Sequence, residues 1–232
     1  KEYAASSHVL CEQYEDYWAE LDENAPKGFK AIGSNEAVTV KTMSGDLQVR
    51  GITAEATVLE TMSGDATLRE ASGEKLTIKT ASGDISLLNA GGSNMVVQST
   101  SGDVDWRGAG SENTQITTTS GDVDLKEIDA PQAKIKTISG EVEIRSSQFY
   151  HLNVNTTSGD EECIFFAQNS YVQTVSGDIE IALDRRGKQL CARAKTVSGE
   201  SNVYGNNRCD APDAEHYLTA YFSTVSGDIE IR

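Results

Sequence analysis

The stretch TVSGDIEI occurs twice word for word, at residues 174–181 and 224–231. Its centre recurs along most of the chain. A Ser-Gly-Asp or Ser-Gly-Glu tripeptide begins at Ser44, Ser63, Ser82, Ser101, Ser120, Ser139, Ser158, Ser176, Ser198 and Ser226. The steps are 19 residues six times running, then 18, 22 and 28. Equal steps in unbroken succession are the mark of a repeat architecture. A further copy, Ser72-Gly73-Glu74, falls mid-repeat and out of register.

Around each tripeptide the residues alternate. Two positions before the Ser stands a small β-former, as at Thr42, Ser99, Thr118 and Thr224. Three positions after it the residue is mostly apolar, as at Leu47, Ile85, Val104 and Ile229. Five positions after it the residue is apolar or Cys, as at Val49, Leu68, Leu125, Cys163 and Ile231. Upstream, Leu76-x-Ile78-x-Thr80 continues the pattern. Period two is the strand signal. Each repeat therefore reads as a strand, a tight Ser-Gly-Asp corner, a second short strand and a looser return. Gly supplies the unusual backbone angles, and Ser and Asp satisfy local N–H groups. One repeat cannot bury its apolar side alone, so repeats stack.

The fold expected is all-β: a single-chain parallel β-helix or β-solenoid of about ten rungs. At about 4.8 Å per rung the rod is roughly 43 Å long. An antiparallel sandwich would not keep one corner on an unchanging beat. In this register Trp106 points inward, as core and not as a sugar-stacking platform. Glu161 and Ser201 depart from the pattern, because an apolar residue is expected at each.

The consensus T-x-S-G-D-[I/V]-x-[I/L] resembles that of the bacterial family of β-strand-repeat domains of unknown function that carries an adhesin label. The resemblance covers roughly residues 30–232. It implies a parallel β-helix-like fold in an exported protein, and it implies no catalytic residues.

Composition narrows the function. The chain has 36 Asp+Glu against 20 Lys+Arg, a net charge of −16. Its pI is near 4.5, which argues against a nucleic-acid partner. No run of about 18 apolar residues suggests a membrane span. An aromatic content of 6% suits a thin core of Val, Ile, Leu, Thr and Ala.

Two domains are expected: a cap segment at 1–30 and the repeat domain at 31–232, irregular with an insertion at about 182–221. Leu10, Tyr14, Tyr17, Trp18 and Leu21 fall at helical spacing within residues 8–24. This predicts an amphipathic helix over the first rung, since a solenoid end exposes core and unpaired strand. At the other end Ile231-Arg232 closes the tenth repeat. That rung is expected either to be covered by the segment from Gly205 to Tyr221 or to pair with another molecule. Of four cysteines, Cys191 and Cys209 lie 18 residues apart, nearly one repeat, and form a candidate disulfide. Such a bond fits an extracytoplasmic location, periplasm or cell surface, with a leader presumed removed.

The outward positions carry charge in columns. The third corner residue gives Asp46, Asp65, Asp84, Asp103, Asp122, Glu141, Asp160, Asp178, Glu200 and Asp228. Two residues on stand Asp105, Asp124, Glu143, Glu162 and Glu180. Two further on stand Arg50, Arg69, Arg107, Lys126, Arg145 and Arg232. Like charges stacked at rung spacing repel, so something offsets them. Three offsets are open: backbone N–H groups with the basic column, a cationic partner, or Ca²⁺. The calcium reading uses Asp103, Asp105, Asp122, Asp124, Glu141, Glu143, Asp160, Glu162, Asp178 and Glu180. No other metal or cofactor is suggested.

Enzyme signals are poor. His8, His151 and His216 are scattered, no G-x-S-x-G elbow occurs, and a Ser repeated at every corner is structural. Only Asp184–Lys188 and Gly205–Tyr217 offer loops that could wall a groove. The function expected is a non-enzymatic scaffold or adhesin-like envelope protein whose partner is a protein or glycan. The alternatives are a calcium-dependent binding module and a polysaccharide-binding or polysaccharide-degrading β-helix.

Overall fold

The structure is a computed structural model that describes residues 9–11, 18–20, 28–204 and 215–232, with side chains from Ala37 onward. Every regular element described is a strand. The chain opens with β1 (Val9–Cys11), β2 (Trp18–Glu20), β3 (Gly28–Thr42) and β4 (Asp46–Ser63). Short and long strands then alternate: β5 (Ala66–Arg69), β6 (Ser72–Ser82), β7 (Ile85–Leu88), β8 (Gly91–Ser101), β9 (Val104–Arg107) and β10 (Ser111–Thr117). The middle of the rod holds β11 (Val123–Lys126), β12 (Asp129–Lys136), β13 (Val142–Asn155), β14 (Glu161–Gln173) and β15 (Ile179–Leu183). The last strands are β16 (Gln189–Lys195), β17 (Ser201–Val203), β18 (Tyr217–Ser223) and β19 (Ile229–Ile231).

The pairing is parallel and in register by one repeat. Val123 lies between Val104 and Val142, and Leu125 between Trp106 and Ile144. Ile116 lies between Val97 and Ile135. This is the β-solenoid the repeat demands. Its core is a set of inward columns, with Leu59, Ile78, Val97, Ile116, Ile135, Val154 and Val172 all fully buried. Each such side chain contributes about 1.5–3 kcal/mol by leaving water. Trp106 is fully buried too, and its indole N–H donates to the Ala90 and Gly108 carbonyls, both at 3.2 Å.

Two corners close each regular rung. At the Ser-Gly-Asp corner the Gly N–H of one rung donates to the Ser carbonyl of the next, as in Gly102 N to Ser120 O at 3.1 Å. Gly121 shows why only glycine fits. Its φ is +150°, and an added Cβ would stand 2.2 Å from the Gly102 carbonyl oxygen. The column of Thr, with Ser99 in one place, two residues before the Ser is buried except at part-buried Thr196, and Thr118 Oγ1 donates to Gly121 O at 3.1 Å, tying strand to corner. The second corner turns on a left-handed residue, at Gly51, Glu70, Asn89, Gly108, Glu127 and Ser146, with Ala109 left-handed as well beside Gly108. Ser146 has no counterpart one rung on, where the register shifts between Arg145 and Ser147. That missing residue is the 18-residue step.

Two expectations are corrected here. Of the helix expected over 8–24, Val9–Cys11 and Trp18–Glu20 are instead strands, antiparallel to β3. The edge of β3 offers a row of N–H and C=O groups that a strand satisfies and a helix does not. Tyr14, Tyr17 and Leu21 lie outside the described residues.

The second correction concerns the far end. The last repeat in sequence is not the last rung in space. β18 lies between β14 and β16, and β19 between β15 and β17. The corners accordingly stack in the order Ser158, Ser176, Ser226, Ser198. Ile231 is therefore interior, paired with Ile181 and Val203, and offers no free edge for self-association. Among the described residues the outermost rung is β16–β17. Burial explains the exchange. Leu218, Phe222, Ile229 and Ile231 are almost wholly buried, whereas Ser201 and Asn202 are exposed and Val203 is only part-buried. The rung with the larger apolar payload takes the inner place, and Ser201 departs from the pattern because it faces an end. Of Gly205–Tyr221, residues 205–214 lie outside the described part, and 217–221 belong to β18.

Candidate functional site

The charged columns stand as the spacing predicts. Asp105, Asp124, Glu143, Glu162 and Glu180 are stacked in register. The corner carboxylates are held by backbone. Asp103 Oδ1 accepts the Asp122 N–H at 2.8 Å, and Asp122 Oδ1 accepts the Glu141 N–H at 2.7 Å. The same link joins Asp160 to Asp178, Asp178 to Asp228 and Asp228 to Glu200. Each Asp thus offsets its own charge with a donor from the neighbouring rung.

The strand column is offset only in part, because Asp124 Oδ1 is buried without a hydrogen-bond partner and Ile164, not a base, stands two residues beyond Glu162. Arg107 Nε meets Asp105 at 2.9 Å, Arg145 pairs with Glu143, and Arg232 bridges Glu230 at 2.6 Å and Glu180 at 3.2 Å. Arg50 bonds Glu70 and, first by that hydrogen bond and then by its charge, holds the Glu70 carboxyl below its usual range. These exposed pairs contribute little each, because solvent screening and side-chain entropy offset the attraction. Among the described residues no three His, Cys, Asp or Glu side chains are grouped so as to hold a metal ion.

Glu161 is the departure inside the core. It is 1% exposed and stacks between Val142 and Ile179. Thr156 Oγ1 donates to its Oε1 at 2.5 Å, while Oε2 has no partner. Burial pushes its carboxyl up to about 8. Cys163, two residues on, is a free, buried thiol, raised above its ordinary value by burial first and by Glu161 second.

Cys191 is disulfide-bonded. Cys209, expected to be its partner, lies outside the described residues. The segment Asp184–Lys188 is a tight turn closed by Lys188 N to Arg185 O at 2.8 Å. Arg186 folds back over the Phe166 ring at 4.2 Å, so this segment lies against the rod and walls no groove. One residue before the corner Ser, Met43, Met62, Ile138, Val175, Val197 and Val225 are exposed apolar side chains in a column interrupted by Ala81, Thr100, Thr119 and Thr157.

A feature that the reading of the corners missed lies upstream of them. A shallow groove of about 620 Å³ runs across six rungs. Two outward columns line it. One holds Asn94, Asn113, Gln132, His151, Asn169 and Thr219; the other holds Val96, Gln115, Lys134, Asn153, Tyr171 and Tyr221. These stand seven and five residues before each corner Ser, so aligning the repeats shows the columns. His151 belongs to this wall. The rings of Tyr171 and Tyr221 stack at 5.0 Å and 8°, because β18 lies against β14.

Fold and surface together define a β-solenoid repeat protein with a polar lateral groove. The family model described as Toastrack DUF4097 matches residues 33–107 and 74–232, and the chain belongs to that family. No curated protein shows a significant match to the chain. No solved structure does either. Among the described residues no helix is long and apolar enough to cross a membrane.

Proposed function

We propose that the chain is a non-enzymatic scaffold with an adhesin-like binding role, exported to the cell envelope or surface. The observation that carries this reading is the uninterrupted stacking of the corners, Ser101 to Ser120 to Ser139 to Ser158 and onward. Each corner Ser is equivalent to its neighbours, as a structural residue is. Backbone N–H groups hold the corner carboxylates, and Arg107 and Arg145 pair with Asp105 and Glu143, so these charges serve the rod. Export is supported by the disulfide at Cys191, since such bonds persist in oxidising compartments. Purified chain incubated with a polysaccharide panel is expected to release no reducing ends. Turnover that co-purifies with the chain would refute the scaffold reading.

A further inference from the structure

We propose that the lateral groove binds a neutral polysaccharide chain lying along the rod axis. The proposal rests on the scaffold reading above and supplies its ligand class. The groove is built from matching positions of six successive rungs, β8, β10, β12, β13, β14 and β18. A site repeated along a rod suits a polymer. The rung step of about 4.8 Å is close to the advance of one sugar ring in an extended glycan, so each rung meets an equivalent unit.

The chemistry of the lining selects the ligand. The chain carries 36 Asp+Glu, yet none lines the groove, and Lys134 is its one fixed charge. Amides dominate instead. Asn and Gln offer a donor and an acceptor on one planar group, which suits neighbouring hydroxyls that both donate and accept. The side chains of Gln115 and Gln132 are exposed and make no hydrogen bond within the described chain. Asn113 Nδ2 reaches Asn94 Oδ1 at 3.3 Å, a long contact that a ligand hydroxyl can replace. The part-buried Tyr171 and Tyr221, stacked on each other across adjacent rungs, supply an apolar patch with polar tips, an amphipathic form that meets the C–H groups of a sugar ring; the Tyr171 hydroxyl donates to Gln173 Oε1 at 3.1 Å. A polyanion is repelled at long range by the net charge of −16.

The test is native affinity electrophoresis of the full chain in gels containing hydroxyethylcellulose, dextran, a β-1,3-glucan or polygalacturonate. Retardation is expected in at least one neutral gel and not in polygalacturonate. Tyr171→Ala and Tyr221→Ala should each weaken it tenfold or more. Gln132→Ala, at an exposed position that leaves the fold intact, should weaken it at least threefold. Met62→Ser, one residue before a corner Ser, should leave it unchanged. Thermal melts of all four variants accompany the gels, and Gln132→Ala decides the matter if a Tyr variant melts early. No retardation in any neutral gel, retardation by polygalacturonate alone, or retardation indifferent to Gln132 and both Tyr would overturn the proposal. Reducing ends released in a retarding gel would refute the scaffold reading and leave groove binding standing. Absent retardation refutes the groove and leaves the scaffold reading standing.

Discussion

Glu161→Gln separates the cost of a buried charge from everything else in the rod. In the native chain Glu161 sits between Val142 and Ile179, with one oxygen on Thr156 and the other unpartnered. Its carboxyl is raised from 4.5 to about 8 by burial, so between about pH 4.5 and 8 the folded chain holds a proton that the unfolded chain has given up. A raised carboxyl contributes its full stability below the unfolded value, near 4.5. That contribution drains away as pH rises through about 8 and is flat above. At about 1.4 kcal/mol per pH unit, the whole span is worth on the order of 4 to 5 kcal/mol. The Glu161→Gln variant, with a neutral amide at that position, would have no such dependence. Urea melts from pH 5.5 to 8.5 avoid precipitation near the pI of 4.5. Across that range the stability of Glu161→Gln minus that of wild type should rise by about 3 kcal/mol. Taking the difference removes the titration of the other carboxylates. Parallel curves, with a constant gap, would refute the claim that a neutral carboxyl is held in the core.

Gly121→Ala should abolish the cooperative melt, because its Cβ would sit 2.2 Å from Gly102 O at φ +150°, whereas Gly51→Ala, with nothing within 4 Å at φ +65°, should cost only about 1–2 kcal/mol; equal melts would refute the corner geometry. Leu125→Asp, placing an unpaired charge at a fully buried position, should prevent folding, and circular dichroism would show the loss of strand. Asp122→Ala removes the acceptor of the Glu141 N–H and should cost about 1 kcal/mol, while Asp122→Asn keeps an oxygen there and should cost less than half of that. With the corner oxygens engaged by backbone, a melt after exhaustive chelation and one in millimolar Ca²⁺ should agree within about 1 °C, since a ligand that binds only the native state raises stability by mass action; a large upward shift would return the carboxylate ladder to the calcium reading.

The N-terminal cap shows where period alone misleads. Leu10, Tyr14, Tyr17, Trp18 and Leu21 do fall at helical spacing. The choice at Val9–Cys11 and Trp18–Glu20 was made by β3, whose free edge demands backbone partners. Glu161 was legible as an exception but not as a buried one, because a polar residue at an inward position reads equally well as a local break in register. The second corner was hidden for another reason. Its left-handed residue is Gly, Glu, Asn or Ser from rung to rung, since the backbone conformation repeats there while the side chain faces solvent.

What the sequence by itself determined is the rung. The 19-residue beat, the Gly that no other residue replaces, the Thr behind it and the alternation around it specify strand, corner and inward face. They also specify the charged columns, because parallel in-register stacking places equivalent residues side by side. What only the tertiary structure decided is the order of the last rungs. Sequence order would set Arg193 next to Tyr171; the fold sets Tyr221 there instead. The reason is burial: Leu218, Phe222, Ile229 and Ile231 gain more inside the rod than the rung bearing Ser201 and Asn202. That exchange moves the C-terminal strand inward, leaves the polar rung outermost, and brings together the two tyrosines of the groove.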